Sequence, residues 1–308
     1  MPKLLVIGSI NMDIVNNVKR FPLPGETIHS SGTAFFPGGK GANQAVAAAR
    51  SGGDVVMIGA VGDDPFADTL VASLQADGID TKHVIRKEGT SGFAVITVND
   101  EGENNIILSE GANGRLTAGN TAGAAGSVSD VYAVLLQNEI PWETTGAAIE
   151  HASKSGVRVF VNPAPAKRLP DAMFPLIDTL IMNETEAAAV TGLAVTGVES
   201  ARAAAAWAIG RGTESVIVTL GDQGSVYASA QGDGIVMPAF RVKPVDTTAA
   251  GDTFIGAYAA ASANGLETEQ ALRFAASAAA LAVTKPGAQA SIPSLEEIND
   301  FLRERQQN

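Results

Sequence analysis

The segment with the clearest chemical potential lies near the C-terminus of the chain. Residues 246–254 read DTTAAGDTF, a run of small residues that opens a predicted helix. The backbone amides of residues 249–252 would lie at the positive end of the helix dipole, where a transferring phosphoryl group is stabilised. Asp252 in the first turn is then placed to take a proton from an attacking hydroxyl. The simpler alternative is a helix start with an ordinary first-turn aspartate.

A second candidate segment surrounds a lysine with glycines. Residues 37–45 read PGGKGANQA and precede a predicted helix. Glycines such as Gly39 allow a backbone to approach a ligand closely. The amide of Asn43 can both donate to and accept from sugar hydroxyls, with Lys40 beside it. The alternative is a flexible loop that ends in a helix cap.

A third candidate follows the first predicted strand. Residues 11–13 read NMD. Ligands of open α/β sheets bind beyond the carboxyl ends of the strands, so Asn11 and Asp13 could hold vicinal hydroxyls there. The alternative is a local Asx turn.

Short Val/Ile/Leu runs alternate with Ala-rich stretches along the chain. Predicted strands cover residues 4–8, 55–60, 131–136, 157–161, 179–182, 215–220 and 242–245. Predicted helices cover residues 41–50, 66–77, 142–155, 184–191, 199–210, 251–264, 267–283 and 294–305. Because the strands are nearly continuous apolar runs, they indicate burial on both faces. The fold class is therefore α/β, a three-layer doubly wound and mostly parallel sheet.

Two stretches, at about 12–36 and 91–109, have strand-like sequence without helices. The second alternates around the turn 99–103 and predicts a hairpin. We expect both to form a small β-sheet lid inserted into one domain that spans 1–308. The alternative is a pair of peripheral strands that extend the main sheet.

Composition excludes several classes of function. The net charge of −12 argues against a nucleic-acid partner and against an anionic membrane surface. The chain has no cysteine, so it has no disulfide and no thiolate chemistry, and its 3 histidines are far apart in sequence. No Walker P-loop is present and the first strand is not followed by G-x-G-x-x-G. The apolar run 4–7 is too short for a signal peptide, so we expect a cytoplasmic protein.

These motifs resemble the two signatures of the ribokinase-like carbohydrate kinases, and the resemblance extends across the chain. Intermediate markers are residues 24–27 (PGET), 61–64 (VGDD), 137–139 (QNE), 162–165 (NPAP), 183–186 (NETE), 219–221 (TLG) and 287–288 (GA). The runs GGKGANQ and NPAP resemble the members that phosphorylate ribose more than those that act on fructose or adenosine. The resemblance therefore implies transfer of the γ-phosphoryl group of ATP to the 5-hydroxyl of D-ribose.

The resemblance also implies a role for each matching position. The sugar-contacting positions are Asn11, Asp13, Gly39, Lys40, Asn43 and Glu139, with Asp252 as the base. The anion hole falls on Ala249, Ala250 and Gly251. The nucleotide positions are Asn183, Glu186, Thr219, Gly221 and Gly224, with Glu186 tied to Mg²⁺ or another divalent cation. The ligand positions for an activating K⁺ are Asp246, Thr248, Ala282, Lys285, Gly287 and Ser291.

Further implications concern assembly and specificity. The lid of this family often mediates a homodimer. Ala276 stands where an asparagine often lies near the adenine, and Pro286 could alter the cation loop. Alternatives are a deoxyribose kinase or another sugar or nucleoside kinase of the same fold. A more distant alternative is a non-catalytic sugar- or nucleotide-binding protein.

Overall fold

The structure is a computed structural model that describes residues 2–306. Its strands are β1 Lys3–Ile7, β2 Asn11–Asn17, β3 Gly32–Gly38, β4 Asp54–Val61, β5 Asp80–Arg86, β6 Gly92–Val98, β7 Asn104–Ser109, β8 Val131–Leu136, β9 Arg158–Val161, β10 Thr179–Asn183, β11 Ser215–Thr219, β12 Ser225–Ser229 and β13 Gly234–Met237. Its α-helices are α1 Lys40–Arg50, α2 Ala67–Ala76, α3 Ala118–Ala125, α4 Trp142–Lys154, α5 Glu184–Thr191, α6 Val198–Ile209, α7 Ala250–Ala263, α8 Thr268–Ala282 and α9 Leu295–Gln306.

Within residues 2–306, nine strands form the central sheet in the order β13-β12-β11-β10-β9-β8-β1-β4-β5. Every pairing from β11 to β5 is parallel, and β12 and β13 add an antiparallel edge. The predicted doubly wound, mostly parallel sheet is confirmed. Consecutive parallel strands place their carboxyl ends at one edge, where a ligand site is expected.

Helices cover both faces of this sheet. Leu4 and Val6 of β1 face a core shared with α1, α7 and α8, while Leu5 and Ile7 face a core shared with α4, α5 and α6. Alternate side chains along one strand therefore enter different apolar layers, because side chains alternate across a strand. This explains why the strand sequences are apolar without a period of two. Among the described residues, no helix is both long and apolar enough to cross a bilayer.

A separate sheet of four strands has the order β3-β2-β6-β7. Its strands come from the two stretches that the sequence indicated, and β6 and β7 pair as the predicted hairpin. The strands do not join the central sheet, so the alternative of an extended main sheet is wrong. Strand β2 follows β1 after three residues, and β3 leads directly into α1. The small sheet is thus attached at the carboxyl edge of the central one.

One predicted strand is wrong and several elements were missed. Residues 242–245 have no strand structure: Pro244 lacks an N–H, Val245 is 64% exposed, and its amide donates to the carbonyl of Val283. The missed elements are β5, β12, β13 and α3. Each is short or polar, or too rich in Ala and Gly to show an amphipathic period.

Candidate functional site

The site forms where the first turns of α1 and α7 meet. A Cβ built on Gly256 of α7 would lie 2.5 Å from the carbonyl oxygen of Gln44 and 2.6 Å from the Cβ of Ala47. The two helices therefore approach closely because residue 256 has no side chain. This contact brings the start of α1 against Asp252, although the two segments are about two hundred residues apart in sequence.

Asp252 is a buried carboxylate with two side-chain donors. It is 7% exposed and lies in the first turn of α7, which begins after Ala249. Asn43 Nδ2 donates to Asp252 Oδ2 at 3.1 Å, and Gln44 Nε2 donates to Asp252 Oδ1 at 3.0 Å. The Oδ1 atom of Asn43 is buried and has no partner among the described residues. It therefore offers an acceptor to a ligand hydroxyl.

A carboxylate from a distant loop caps the start of α1. Glu139 Oε2 accepts from the backbone N–H of Lys40 at 3.0 Å and from Ser9 Oγ at 2.6 Å. An anion at this position is favoured by the free amides and the dipole of the helix. Gly39 has a φ of 89°, which favours glycine. A Cβ there would also lie 2.9 Å from the amide nitrogen of Asn11.

The other glycines of the GGKG run face protein as well. A Cβ on Gly41 would lie 2.6 Å from the amide nitrogen of Ser9, and one on Gly38 would collide with the carboxylate of Asp13. The interpretation that these glycines let a ligand approach the backbone is therefore wrong for Gly38 and Gly41. They allow the β1–β2 turn to pack on the start of α1, which brings Asp13 to the site.

Four carboxylates and one ammonium group interact in this region. Burial, followed by the charges of Glu139 and Asp252, raises the pKa of Asp13 to about 7. The charge of Asp252 raises the pKa of Lys40, and Glu139 and Glu186 act in the same direction. Lys40 is therefore held as a cation among acidic groups that repel one another.

Asn11 is held in one orientation by a buried asparagine that the sequence did not suggest. Asn113 Nδ2 donates to Asn11 Oδ1 at 2.7 Å and to the carbonyl of Ile10 at 3.2 Å, while its Oδ1 accepts from the Ile10 amide at 3.0 Å. Gly92 passes so close that a Cβ would meet both amide groups. Since Oδ1 of Asn11 is occupied, its NH₂ group is left for a ligand.

A cavity of about 190 Å³ lies beside Asp252 at the start of α7. We call it the α7 cavity, and it is lined by Lys40, Asn162, Ile181, Met182, Asn183, Glu186, Thr219, Thr247, Ala249, Gly251, Asp252 and Ile255. It gathers side chains from the sugar-contacting set, the anion hole and the nucleotide set into one space.

The backbone at the start of α7 has an open side. Ala249 adopts a left-handed conformation with a φ of 60°. A Cβ built on Gly251 would meet no heavy atom of the described residues within 4 Å, so the glycine faces free space in the α7 cavity. The amide of Ala250 donates to the carbonyl of Thr247 at 3.2 Å. The Ala250 amide, one of those expected to face an anion, is therefore hydrogen-bonded within the protein.

Opposite Asp252, the α7 cavity is bounded by an acidic helix start. Asn183 and Glu186 form a capping box at the start of α5, with bonds of 2.8 and 3.0 Å. Asn162 Nδ2 also donates to Glu186 Oε2 at 2.9 Å. Burial raises the pKa of Glu186, and its hydrogen bonds and the charge of Lys40 oppose that effect.

The other predicted nucleotide residues divide between the cavity and a neighbouring turn. Thr219 lines the α7 cavity, and Gly221 and Gly224 lie in the following turn, outside its lining. Both glycines have positive φ values, 55° and 98°. Gly224 packs closely on the backbone of Met237, while a Cβ on Gly221 would face open space.

The two segments predicted to bind a monovalent cation are in contact. Asp246 Oδ1 accepts from the amide and hydroxyl of Thr248, and Oδ2 accepts from the amide of Gly287 at 2.9 Å. Burial alone would raise the pKa of Asp246, but these hydrogen bonds outweigh it and lower the pKa. The Lys285 ammonium instead forms an ion pair with Glu297 at 2.5 Å.

The remaining predicted cation positions hold the same loop together. The carbonyl of Ala282 accepts from the amide of Lys285 at 3.2 Å. Ser291 is buried, and its hydroxyl donates to the carbonyl of Ala288 at 2.8 Å. These contacts order the segment that follows α8.

The predicted set also lacked side chains that hydrogen-bond to its members, namely Ser9, Gln44, Asn113 and Asn162. Gln44 and Asn162 lie within the GGKGANQ and NPAP runs, so their positions carried a signal that was not assigned to single residues. Ser9 and Asn113 act through contacts between distant segments, and no local pattern indicates such contacts.

Comparison with known proteins agrees with this geometry. The model of the pfkB family carbohydrate kinases matches residues 1–295. The ribokinase of Haemophilus influenzae is 42% identical over 301 residues, covering 97% of this chain and 98% of its own. The deoxyribokinase of Salmonella typhi is 38% identical over 301 residues, with 97% and 98% coverage.

A solved structure extends the agreement to the whole fold. The ribokinase of Arabidopsis thaliana, determined in complex with ribose and ATP, superposes with a TM-score of 0.89 and 32% identity, covering 98% of this chain and 99% of that one. The four-stranded sheet and the mostly parallel sheet are thus parts of a fold shared with such enzymes. This chain belongs to the pfkB family of carbohydrate kinases, which are phosphotransferases with an alcohol acceptor.

Proposed function

We propose that this chain transfers the γ-phosphoryl group of ATP to the 5-hydroxyl of D-ribose, giving ribose 5-phosphate and ADP. The observation that carries the proposal is the buried Asp252 carboxylate, which is hydrogen-bonded to Asn43 of the sugar-contacting set and lines the α7 cavity beside the open backbone at Gly251. The ribokinase of Arabidopsis, with ribose and ATP bound, and the 42% identical ribokinase of Haemophilus support the choice of substrates.

The sugar is held by groups of complementary hydrogen-bonding type. Asn11 presents its NH₂ group, because Asn113 occupies its oxygen. Asn43 presents an unpartnered oxygen, and Asp13 presents a carboxylate that can accept from two hydroxyls when ionised. A ring with adjacent hydroxyls, each both donor and acceptor, suits this set. Gly39, Lys40 and Glu139 complete the proposed contacts.

Asp252 acts as the general base in this proposal. Its two oxygens are oriented by Asn43 and Gln44, so the carboxylate faces both the sugar side and the α7 cavity. As the 5-hydroxyl attacks phosphorus, its proton passes to Asp252 and the bond from phosphorus to the ADP oxygen breaks. In this proposal the amides of Ala249 and Gly251 stabilise the negative charge of the phosphoryl oxygens, and the amide of Ala250 does so in exchange for its bond to the carbonyl of Thr247.

The nucleotide is proposed to extend from Gly251 towards Thr219, Gly221 and Gly224. The residues present fit a divalent cation: Glu186 is a buried carboxylate on the wall of the α7 cavity, already oriented by Asn183. A Mg²⁺ ion held there, largely through water and phosphate oxygens, would neutralise charge on the phosphates.

A monovalent cation also fits the residues present. Asp246 and Thr248 lie against Gly287, and the lowered pKa keeps Asp246 ionised. We propose that K⁺ binds here to carbonyl and side-chain oxygens, including those of Ala282, Lys285 and Ser291. Such an ion would order the loop that leads to Ala249 and would offset the charge of the phosphoryl group.

The lid sheet is proposed to close over the sugar and to form a homodimer. Phe35 of β3 is 54% exposed, and Ile106, Ile107 and Leu108 of the edge strand β7 are 58%, 72% and 41% exposed. Apolar side chains on an edge strand favour association with another chain. In this proposal the chain is one kinase domain, with the lid as an insertion.

Deoxyribose is the main alternative acceptor, since the 38% identical relative from Salmonella is a deoxyribokinase. One hydroxyl separates the two sugars. A site built to hydrogen-bond that hydroxyl discriminates strongly against the sugar that lacks it. The unpartnered oxygen of Asn43 and the carboxylate of Asp13 are such groups, and they favour ribose.

A coupled ADP-release assay with Mg·ATP and K⁺ tests the proposal. The acceptors are ribose, 2-deoxyribose, fructose, 2-keto-3-deoxygluconate and adenosine. We expect the highest kcat/KM with ribose and a fall in kcat of about 10²–10⁴ in Asp252→Asn, with binding of both substrates retained. Preference for another acceptor would reject ribose, and near-normal turnover by Asp252→Asn would reject the assigned base.

A further inference from the structure

A line of buried amides lies behind Asp252. Gln44 and Gln137 are fully buried, and Asn162 is 6% exposed. Gln137 Nε2 donates to Gln44 Oε1 at 2.7 Å, and Gln44 Nε2 donates to Asp252 Oδ1 at 3.0 Å. Gln44 Nε2 also lies 3.4 Å from Oδ1 of Asn162. The NH₂ group of Asn162 donates to Glu186.

The direction of this line follows from the chemistry of its end member. An ionised Asp252 can only accept hydrogen bonds, so the atom of Gln44 that faces it must be the NH₂ group. The oxygen of Gln44 then faces Gln137, which must present its own NH₂ group. The Oε1 atom of Gln137 is left buried without a partner among the described residues, against Gly8. Each amide thus has one orientation that satisfies its neighbour.

We propose that Gln44 is a positioning residue for the base, and that Gln137 acts through it by fixing the orientation of the Gln44 amide. This inference rests on the proposed role of Asp252. In that role, the carboxylate must present one lone pair to the sugar hydroxyl and keep it there during the reaction. A donor that is itself held in one orientation restricts rotation of the carboxylate. The orphaned oxygen of Gln137 is a cost of this arrangement, since buried polar atoms are usually paired.

Packing alone does not explain the arrangement. A Gln at position 137 leaves an oxygen unsatisfied, whereas an apolar side chain of similar volume would leave none there. The NH₂ group of Gln137 donates to the oxygen of Gln44, on the side of that amide away from Asp252. The only role of this donor is to satisfy the Gln44 oxygen. The line also connects Asp252 to Glu186 through Asn162, so the two acidic groups of the α7 cavity share one hydrogen-bonded frame.

The first test replaces Gln44. Gln44→Met keeps the length of the side chain and removes the donor. We expect kcat to fall about 10- to 100-fold, the effect of losing one hydrogen bond to a charged group, while KM for ATP changes little. Gln44→Glu places a second carboxylate about 3 Å from Asp252, which disfavours the form that accepts the proton. We expect the acidic limb of the pH profile of kcat to move to higher pH.

The pH comparison is made against the unchanged protein because other charges face Asp252. Asp13, Lys40 and Glu186 interact electrostatically with it, and Glu139 interacts with Asp13 and Lys40. These groups are the same in every variant. A shift between profiles therefore reports the substituted group.

The second test uses a matched pair at position 137 and needs no charge at position 44. Gln137→Glu is nearly isosteric, but its ionised carboxylate presents only acceptors to Gln44, which would turn the oxygen of Gln44 towards Asp252; kcat is therefore compared at the alkaline end of the pH profile. Gln137→Met removes the donor without forcing that reversal. We expect kcat to be lower in Gln137→Glu than in Gln137→Met when both are normalised to folded protein that binds ATP. A purely structural role predicts the opposite order, since the isosteric change disturbs packing less.

A double variant separates this inference from the proposed base. If Asp252→Asn is nearly inactive, adding Gln44→Met should lower kcat little further, because the carboxylate to be positioned is gone. Turnover by Asp252→Asn near the normal rate would instead remove the proposed base. If Asp252 is the base, either of two results would overturn the positioning role. One is a kcat of Gln44→Met within about threefold of that of the unchanged protein, and the other is a higher kcat in Gln137→Glu than in Gln137→Met. If Gln44→Glu does not fold, the Met variant and the pair at position 137 give the decision.

Discussion

Gly251→Ala separates the stability of α7 from its proposed role in binding phosphate. A Cβ on Gly251 would meet no heavy atom within 4 Å, and its φ is not positive. The protein itself therefore has no steric need for glycine at this position. Alanine has the higher helix propensity and restricts the unfolded chain, so we expect the free energy of unfolding to rise by about 0.4–1 kcal/mol.

Activity should change in the opposite direction. A phosphoryl oxygen that accepts from a backbone N–H must come to about 2.9 Å from the nitrogen, whereas a methyl carbon keeps other atoms at about 3.5–4 Å. The added methyl group occupies the open space beside Gly251, so it displaces the phosphoryl group from the amides. Loss of one such donor lowers kcat by about 10²–10³, and we expect a fall of this size.

Two further glycines provide controls for this experiment. Gly123→Ala in α3 also meets open space, and should add stability without altering kcat. Gly256→Ala forces the 2.5 Å contact with the carbonyl of Gln44, and should cost about 1–3 kcal/mol. Thermal unfolding and the ADP-release assay measure both quantities. A Gly251→Ala enzyme that is more stable and fully active would refute the argument that the open space holds phosphate.

The other predictions follow from charge and exposure. Burial and the charges of Glu139 and Asp252 raise the pKa of Asp13 to about 7. We therefore expect the Kd for ribose to rise about tenfold for each pH unit below that value. Titration calorimetry measures this Kd, with Asp13→Asn as the control. Because the folded state binds this proton more tightly, Asp13 also makes the free energy of unfolding fall as the pH rises from 3.8 to about 7. Activity should be higher in K⁺ than in Na⁺, and Asp246→Ala should remove the difference; equal rates in both salts would reject the cation loop. Ile107→Glu on the exposed β7 should give a monomer in analytical ultracentrifugation, and an unchanged dimer would place the interface elsewhere.

The central sheet could be predicted because its strands carry a strong local signal. Strands buried on both faces are continuous apolar runs, and those predicted at 131–136 and 179–182 match β8 and β10 within one residue. Strand β5 was not predicted because it lies at an edge of the sheet and begins with polar residues, Asp80 to His83. Helix α3 was not predicted because its sequence, AGNTAGAA, gives almost no distinction between an apolar and a polar face. The run 242–245 was misleading because Val242 is only half-buried and Val245 is exposed, on either side of Pro244.

The chemical segments could be predicted, but the bonds between them could not. Asp252 and Asn43 were each chosen from their local sequence, and the structure joins them by a hydrogen bond across 209 residues. Local sequence also suggested a ligand as the reason for the GGKG glycines, whereas Gly38 and Gly41 face protein. Asn113 had no local signal, because its role depends on the strand connection that brings it to Asn11. Hydrogen-bond direction among buried amides is a property of the assembled site.

The charges of the site are a physical reason to expect that binding of ATP requires cations. The carboxylates of Asp13, Glu139, Glu186 and Asp252 act on one another and on the ammonium of Lys40. The phosphates of ATP would add further negative charge to this region, and like charges in a partly buried site repel strongly. Two devices reduce that repulsion: the fixed dipoles at the start of α7, and cations beside the phosphates. Only the dipoles belong to the chain itself, so binding of ATP should depend more steeply on added Mg²⁺ and K⁺ than binding of the neutral sugar does.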